Sequence, residues 1–316
     1  MTSFGINLLC VAVVIWSWPL EPLAGQQSAP LPAASAHPVI ELQVLLDRAG
    51  FSPGEIDGRL GANTLAAIAA FQRARGLAAS VPEDPALREA LGAGKVELLT
   101  NYTITEEDAA GPFTPDIPED MMAKAKLKAL HYTSLLEALG ERFHVKPAVL
   151  QQLNPGIRLA PGASIRVPNV NVAAPAPSAP ASRVVVSKSQ SVLQALDGAG
   201  TVLMHAPVTS GSEFDPLPLG EWTVTAVLKN PTFNYNPDLF WDADPAHAKA
   251  KIPPGPNGPV GVVWIDINKE HYGLHGTPEP GTVGHTTSHG CVRLTNWDAQ
   301  KLASLVQKGT PVIFVE

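Results

Sequence analysis

The sequence has little to stabilise it covalently and little to bind it to nucleic acid. Only two of its 316 residues are cysteine, Cys10 and Cys291. If the N-terminal segment is an export signal and is cleaved, Cys10 leaves with it, and the mature chain carries one thiol and no disulfide. A single thiol in an oxidising compartment is a liability unless it is used, which points to a role for Cys291. Basic residues are also scarce: 22 Lys and Arg stand against 29 Asp and Glu, a net charge of −7, with no basic run. That excludes the cationic surface that phosphate contacts require. Long apolar runs are missing as well. The stretch from Ile6 to Trp18 is mostly apolar but falls short of the ~20 residues of a spanning helix. No Lys or Arg precedes it, so even the basic start of a standard export signal is absent.

What remains is a globular composition, 45% hydrophobic and 16% charged, with 31 prolines that predict linkers. The length suggests two or three domains. Residues 1–25 read as a signal peptide, with small residues at Leu23-Ala24-Gly25 where cleavage is expected. This places the chain in the periplasm or cell envelope, anchored to the membrane if the signal stays uncleaved. Residues 26–37 form a linker. Leu42, Leu45 and Leu46 then share one helical face, and Gly50 ends that helix. A second helix, from about Asn63 to Arg75, carries Leu65, Ile68 and Phe71 and stops at Gly76. Phe51, Ile56 and Leu77 are expected in the core, and Asp57, Gly58 and Gly61 in the connecting turn. The pattern LQ-x2-L-x3-GF-x2-G-x-IDG-x2-G-x-NT-x3-I-x2-FQ-x3-GL resembles the three-helix peptidoglycan-binding domain of cell-wall enzymes.

Residues 97–168 begin with a possible strand, ELLTNYTIT. An acidic run follows, Glu106-Glu107-Asp108, expected to be a solvated face, and then a Pro-rich loop. From Tyr132 the cues LGERF, a helix ending in LNP, and L-x-PG-x-x-I-x-VP resemble a LysM module, a βααβ fold that binds N-acetylglucosamine-containing glycans. Residues 169–182 form an extended Pro/Ala linker, expected to be the main domain boundary. After Arg183 the apolar period changes to two. Five Val-, Ile- and Thr-rich segments and one helix, NWDAQKLASLVQKG, predict a β-rich domain, a sandwich-like mixed sheet with a packed helix. The expected class is multidomain α+β.

The chemistry concentrates in HGTPEPGTVGHTTSHGCVRL, His275 to Leu294. His271-x3-His275 and His285-x3-His289 have the spacing of zinc ligand pairs, but the intervening glycines and prolines forbid the helix that would align them. Neither a metal nor a cofactor is expected. A nucleophile with its base fits better. A free thiol of pKa ~8.5 is mostly protonated at neutral pH and needs an imidazole to activate it. His275 ends an apparent strand, HYGLH, and Cys291 follows a tight turn, SHGCV, so a returning loop brings them together. Backbone N–H groups of Gly290 and Cys291 are placed to form an oxyanion hole. Ser288 is expected to bond within the turn and His289 to shape it, whereas His285 and His271 are expected at the surface. Trp264 and Trp297 read as core, and His205 as structural.

The stretch HGT-x10-SHGC-x-R is similar to the signature of the YkuD-type L,D-transpeptidases, and the resemblance extends over 183–316. It implies that Cys291 attacks the bond between a diamino acid and D-Ala in a peptidoglycan tetrapeptide stem. D-Ala leaves, protonated by His275, and a thioester forms. An amine then takes the acyl group, as a 3→3 cross-link between stems or an attachment to an outer-envelope protein. The alternatives are an L,D-carboxypeptidase acting on the same bond and a non-catalytic wall-binding scaffold. Arg293 either meets a substrate carboxylate or braces the loop. Tyr272, Gly276 and Thr277 are expected near substrate. The partners implied are tetrapeptide stems, glycan strands and carbapenem-type inhibitors.

Overall fold

The computed structural model describes residues 1–2, 37–95, 97–170 and 180–316. The expected leader with Cys10, and most of the Pro/Ala linker, lie outside the described residues. The N-terminal domain contains α1 (Pro38–Arg48), α2 (Ala62–Arg75) and α3 (Pro85–Ala90). Pro38 opens α1 in the first turn, where its missing N–H costs nothing. Gly76, at φ 64°, closes α2 in the left-handed conformation that glycine adopts freely. Leu42, Leu45, Leu46, Phe51, Ile68 and Phe71 fill the core. Leu65 and Leu77 do not: they are 48% and 37% exposed. Three residues turn a helix about 60° short of a full circle, so three such steps drift off one face. Leu65 lies on the drifting edge, and Thr64, Ala67 and Gln72 take the buried positions. Between α1 and α2, buried Gln43 donates to Asp57 Oδ1 at 2.9 Å and accepts from Gly58 N at 2.9 Å. Gly58 has the positive φ the turn requires, whereas Gly61, at φ −81°, serves as the N-cap of α2.

The second module runs through β1 (Leu99–Thr103), α4 (Glu106–Ala110), α5 (Met121–Lys124), α6 (Leu135–Arg142), α7 (Pro147–Leu153) and β2 (Ser164–Pro168). β1 and β2 pair antiparallel, Leu99 opposite Pro168. Leu139, Phe143, Leu150, Ile165 and Val167 pack together with Ile40, Val44 and Ile56 of the first domain, so the two modules share a core. Of the acidic run, Glu106 and Glu107 are exposed. Asp108 instead caps α4 with Thr105 and pairs with Arg142. These contacts pull its carboxyl down to about 2 against the cost of desolvation.

The C-terminal domain comprises β3 (Arg183–Ser187), β4 (Val192–Leu196), β5 (Val202–Pro207), β6 (Thr209–Ser210), β7 (Gly220–Lys229), β8 (Phe233–Tyr235), β9 (Ala250–Ile252), β10 (Val263–Ile267), β11 (Gly273–His275), β12 (Val292–Arg293), α8 (Asn296–Leu305) and β13 (Pro311–Val315). Nine strands form one mixed sheet, ordered β5-β4-β3-β13-β7-β10-β11-β12-β6, and β8 and β9 make a separate hairpin. The alternating residues of the strands and one face of α8 supply a single core, including Val184, Leu193, Ile265, Leu302 and Phe314.

The modules do not hang apart on the linker; residues 36–316 pack as one compact unit. His205 N donates to Gly50 O at 2.9 Å and Ser52 N to His205 O at 2.8 Å, a short parallel bridge between the first domain and β5. Ser52 Oγ donates to Asp298 Oδ2 at 2.8 Å, and His144 stacks on Trp297 at 4.9 Å. Burial in this seam, with Asp47 nearby, raises the Asp298 carboxyl to about 6.

Candidate active site

β11 and β12 run parallel, with Leu274 beside Val292 and His275 beside Arg293. Cys291 immediately precedes β12, so the register sets it level with Gly273, two residues before His275. The two ends of a sixteen-residue loop thus meet on neighbouring strands. The turn before Cys291 is built for glycine. Gly290 has φ +93°, and a Cβ there would lie 2.5 Å from the Tyr272 ring. Ser288, buried, accepts from Gly211 N at 2.8 Å and donates to Cys291 O at 2.6 Å. Its hydroxyl is therefore committed to holding the turn and is not available as an oxyanion donor.

His275 is 4% exposed and stacks on Trp264, ring centroids 5.4 Å apart. Its Nδ1 lies 2.7 Å from the Gly276 carbonyl. A carbonyl only accepts, so Nδ1 carries the proton and Nε2 keeps the basic lone pair. No acidic third member is needed. Burial pulls the imidazole down to about 4, against the Gly276 bond that raises it; nearby Arg293 lowers it further. Burial pushes the Cys291 thiol up to about 11, against the Gly273 N–H and Arg293, which lower it. The thiol donates weakly to His271 O at 3.6 Å. Both shifts favour the uncharged forms, thiol and neutral imidazole, in the free protein. Alkylation of Cys291 by iodoacetamide in the free protein is expected to rise about tenfold per pH unit from pH 7 to 10, because the thiolate is the reacting species. A rate independent of pH over that range would show a preformed thiolate instead.

A cavity of about 670 Å³ opens over this pair, lined by His275, Cys291, Arg293, Tyr272, His271, His289 and Trp264 from the sheet end. Arg293 makes no side-chain hydrogen bond or ion pair among the described residues, so its guanidinium is free for a ligand; desolvation lowers its pKa. His289 pairs with Asp242 at 2.8 Å and packs edge-on to Phe240. Two sequence expectations are corrected. Gly276 and Thr277 do not line the cavity. A Cβ on Gly276 would lie 2.2 Å from Asn296 Oδ1, and Thr277 is buried and accepts from Glu279 N. Trp264 is half-buried wall, not core. Of the four histidines once paired by spacing, His285 faces Asn63, His289 faces Asp242, His271 approaches Glu270, and His275 holds Gly276 O.

Residues 181–314 match the L,D-transpeptidase catalytic domain of the YkuD family. The C-terminal domain belongs to that family. Residues 35–91 match a domain described as "Putative peptidoglycan binding domain". The transpeptidase is similar to "Putative L,D-transpeptidase YkuD" of Bacillus licheniformis, 28% identical over 180 residues, covering 56% of this chain and 91% of the relative. The Bacillus subtilis protein of the same description is 29% identical over 179 residues, with the same coverage. A solved structure of L,D-transpeptidase 3 from Mycobacterium tuberculosis in complex with a faropenem-derived adduct is 20% identical, with a TM-score of 0.36, over 50% of this chain and 76% of that one.

Sequence reasoning missed the outer half of the transpeptidase cavity. Thr232 to Tyr235, Leu239, Phe240, Asp242 to Asp244 and His247 line it from the β8–β9 excursion, and Glu119, Asp120 and Met121 from the second module. The one local signal was the aromatic density of TFNYNPDLFWD, unusual for a turn-rich segment.

Proposed function

We propose that this chain is an exported peptidoglycan L,D-transpeptidase of the cell envelope, with Cys291 as nucleophile and His275 as general base and acid. The observation that carries this reading is that the parallel neighbours β11 and β12 bring His275, at the end of one, and Cys291, the residue before the other, to line one cavity. His275 Nε2 takes the thiol proton as sulfur attacks the carbonyl between the diamino acid and D-Ala. Proton transfer accompanies attack, since neither partner is charged at rest. The backbone N–H groups of Gly290 and Cys291 are suited to the oxyanion. The C–N bond breaks, the D-Ala amine takes the proton from His275, and a thioester remains. The free Arg293 guanidinium is suited to a stem carboxylate, bidentate and desolvated. That favours the substrate-binding role over loop bracing. An incoming amine then forms the new amide and returns the thiol.

The domain over residues 35–91 supports binding to the wall. The antiparallel β1–β2 pair with α6 and α7 supports a LysM-like second glycan-binding module, with residues 104–134 as an insertion. Because the modules are docked, they deliver the active site to glycan in a set orientation, not on a free tether.

The test is to incubate the protein from Gln26 onward with purified disaccharide-tetrapeptide and read products by mass spectrometry. A dimer formed with loss of one D-Ala is expected. A carbapenem should leave a mass adduct that peptide mapping places on Cys291. Tripeptide alone would assign a carboxypeptidase, and no product would leave a wall-binding scaffold.

A further inference from the structure

One wall of the cavity comes from Glu119–Met121, in the second module, well before the sheet begins at Arg183. Met121 and Met122 pack with Leu127 and Leu130 against Tyr235, Phe240 and Ile252, a small core made jointly by the second module and the β8–β9 excursion. The backbones are laced together: Leu130 N donates to Pro254 O and Asn257 N to Leu130 O, both at 3.0 Å. Gly255 is required there, since a Cβ would fall 2.0 Å from Leu130 O. A polar clasp completes the seam. His247 Nε2 donates to Asp120 Oδ2 at 2.7 Å, and its Nδ1 meets the Tyr235 hydroxyl at 2.9 Å. From the excursion, Asp242 reaches His289, two residues from Cys291.

The two sides of the cavity differ in charge. The sheet side presents Arg293, suited to a donor carboxylate, with the single anion Asp215 near Tyr272. The outer side presents Glu119, Asp120, Asp242 and Asp244 around Met121, Phe233 and Phe240. A stem entering there is favoured if it brings a cation on an apolar side chain, as the side-chain ammonium of a diamino acid does.

We propose that the wall formed by Glu119–Met121, fastened by His247, is the acceptor side of the cavity and decides whether amine or water resolves the acyl-enzyme. This rests on the acyl-enzyme reading above. The amine, having lost its extra proton to solvent, attacks the thioester carbonyl. The C–N bond forms, the C–S bond breaks, and the remaining proton passes through His275 to sulfur. Water follows the same course and leaves a carboxylate. The wall favours the amine by holding it in place, an advantage that water does not share.

The experiment measures the ratio of cross-linked dimer to tripeptide made from disaccharide-tetrapeptide by the wild-type chain, His247→Ala, Met121→Ala and Tyr235→Phe. The ratio is set after acylation, so it is independent of how fast the donor is consumed. In the variants it is expected to fall by about fivefold, the scale of one lost buried hydrogen bond. A saturating amount of isotope-labelled tripeptide acceptor, told by mass from the hydrolysis product, should restore it, which a general structural defect would not allow. If His247→Ala fails to fold, Tyr235→Phe, which keeps the ring in the core, decides the matter together with Met121→Ala. An unchanged ratio in folded variants that consume donor would overturn the inference while leaving the transpeptidase reading intact. If the wild-type chain consumes no donor, both fall.

Discussion

Cys291→Ala is expected to abolish both the dimer and the carbapenem adduct, and His275→Ala to lower turnover by about 10²- to 10⁴-fold, the range of a lost general base. The two losses have different causes, and the structure separates them. Without sulfur no acyl-enzyme exists. Without the imidazole the thiol remains, and with its pKa near 11 it is almost wholly protonated at neutral pH. His275→Ala should therefore regain activity with rising pH, since hydroxide replaces the base, whereas Cys291→Ala should not. The imidazole also packs on Trp264, so the variant will lose some stability; thermal unfolding of the same sample shows whether the loss of rate is a loss of fold. Near-normal turnover by folded His275→Ala at pH 7 would remove it from the role of base.

Gly290→Ala is the second substitution expected to have a large effect. Its φ of +93° costs an L-residue about 1–2 kcal/mol. Its new Cβ would stand 2.5 Å from Tyr272 Cε1, and relieving such overpacking costs a further ~1–3 kcal/mol. The turn cannot yield easily, because Ser288 clamps it to Gly211 and to the Cys291 carbonyl. Strain is thus delivered to Cys291 and to the Tyr272 ring beside Gly290. Turnover should drop by more than about tenfold, since misplacing reacting groups by an ångström costs rates of that order. Gly76→Ala is the control: it shares a positive φ, 64°, but has nothing within 4 Å to strike. It should lower the melting temperature and leave kinetics alone. Equal kinetics for the two variants would sever the turn's geometry from catalysis.

The proposed pair, Cys291 and His275, could be picked out in the sequence because such a reaction needs few residues and one loop joins them. Sixteen positions separate His275 from Cys291, and the glycines between them rule out the helical alternative. The helices of the first domain and the strands after Arg183 were legible for a related reason: burial of one face writes a period into the chain. That signal weakens where the face drifts, as at Leu65, and ends with the helix, so Leu77, beyond the Gly76 cap, also reads as core and stands exposed. It is also weak for short pieces. β8, β9 and β12 have two or three residues each, too few for any period.

The docking of the modules had no local pattern to read. It depends on Gly50 meeting His205, Ser52 meeting Asp298 and Leu130 lying on Gly255, pairs far apart in the chain whose members look ordinary singly. The same holds for Arg293, whose lack of a side-chain hydrogen bond or ion pair among the described residues is a property of its surroundings. Composition and periodicity determined which elements form and where the reactive thiol sits, because those follow from neighbours along the chain. Which residues wall the cavity, which histidine keeps a free nitrogen and how deeply thiol and imidazole are desolvated were decided only by the tertiary structure, because burial and long-range hydrogen bonds exist only once distant segments meet.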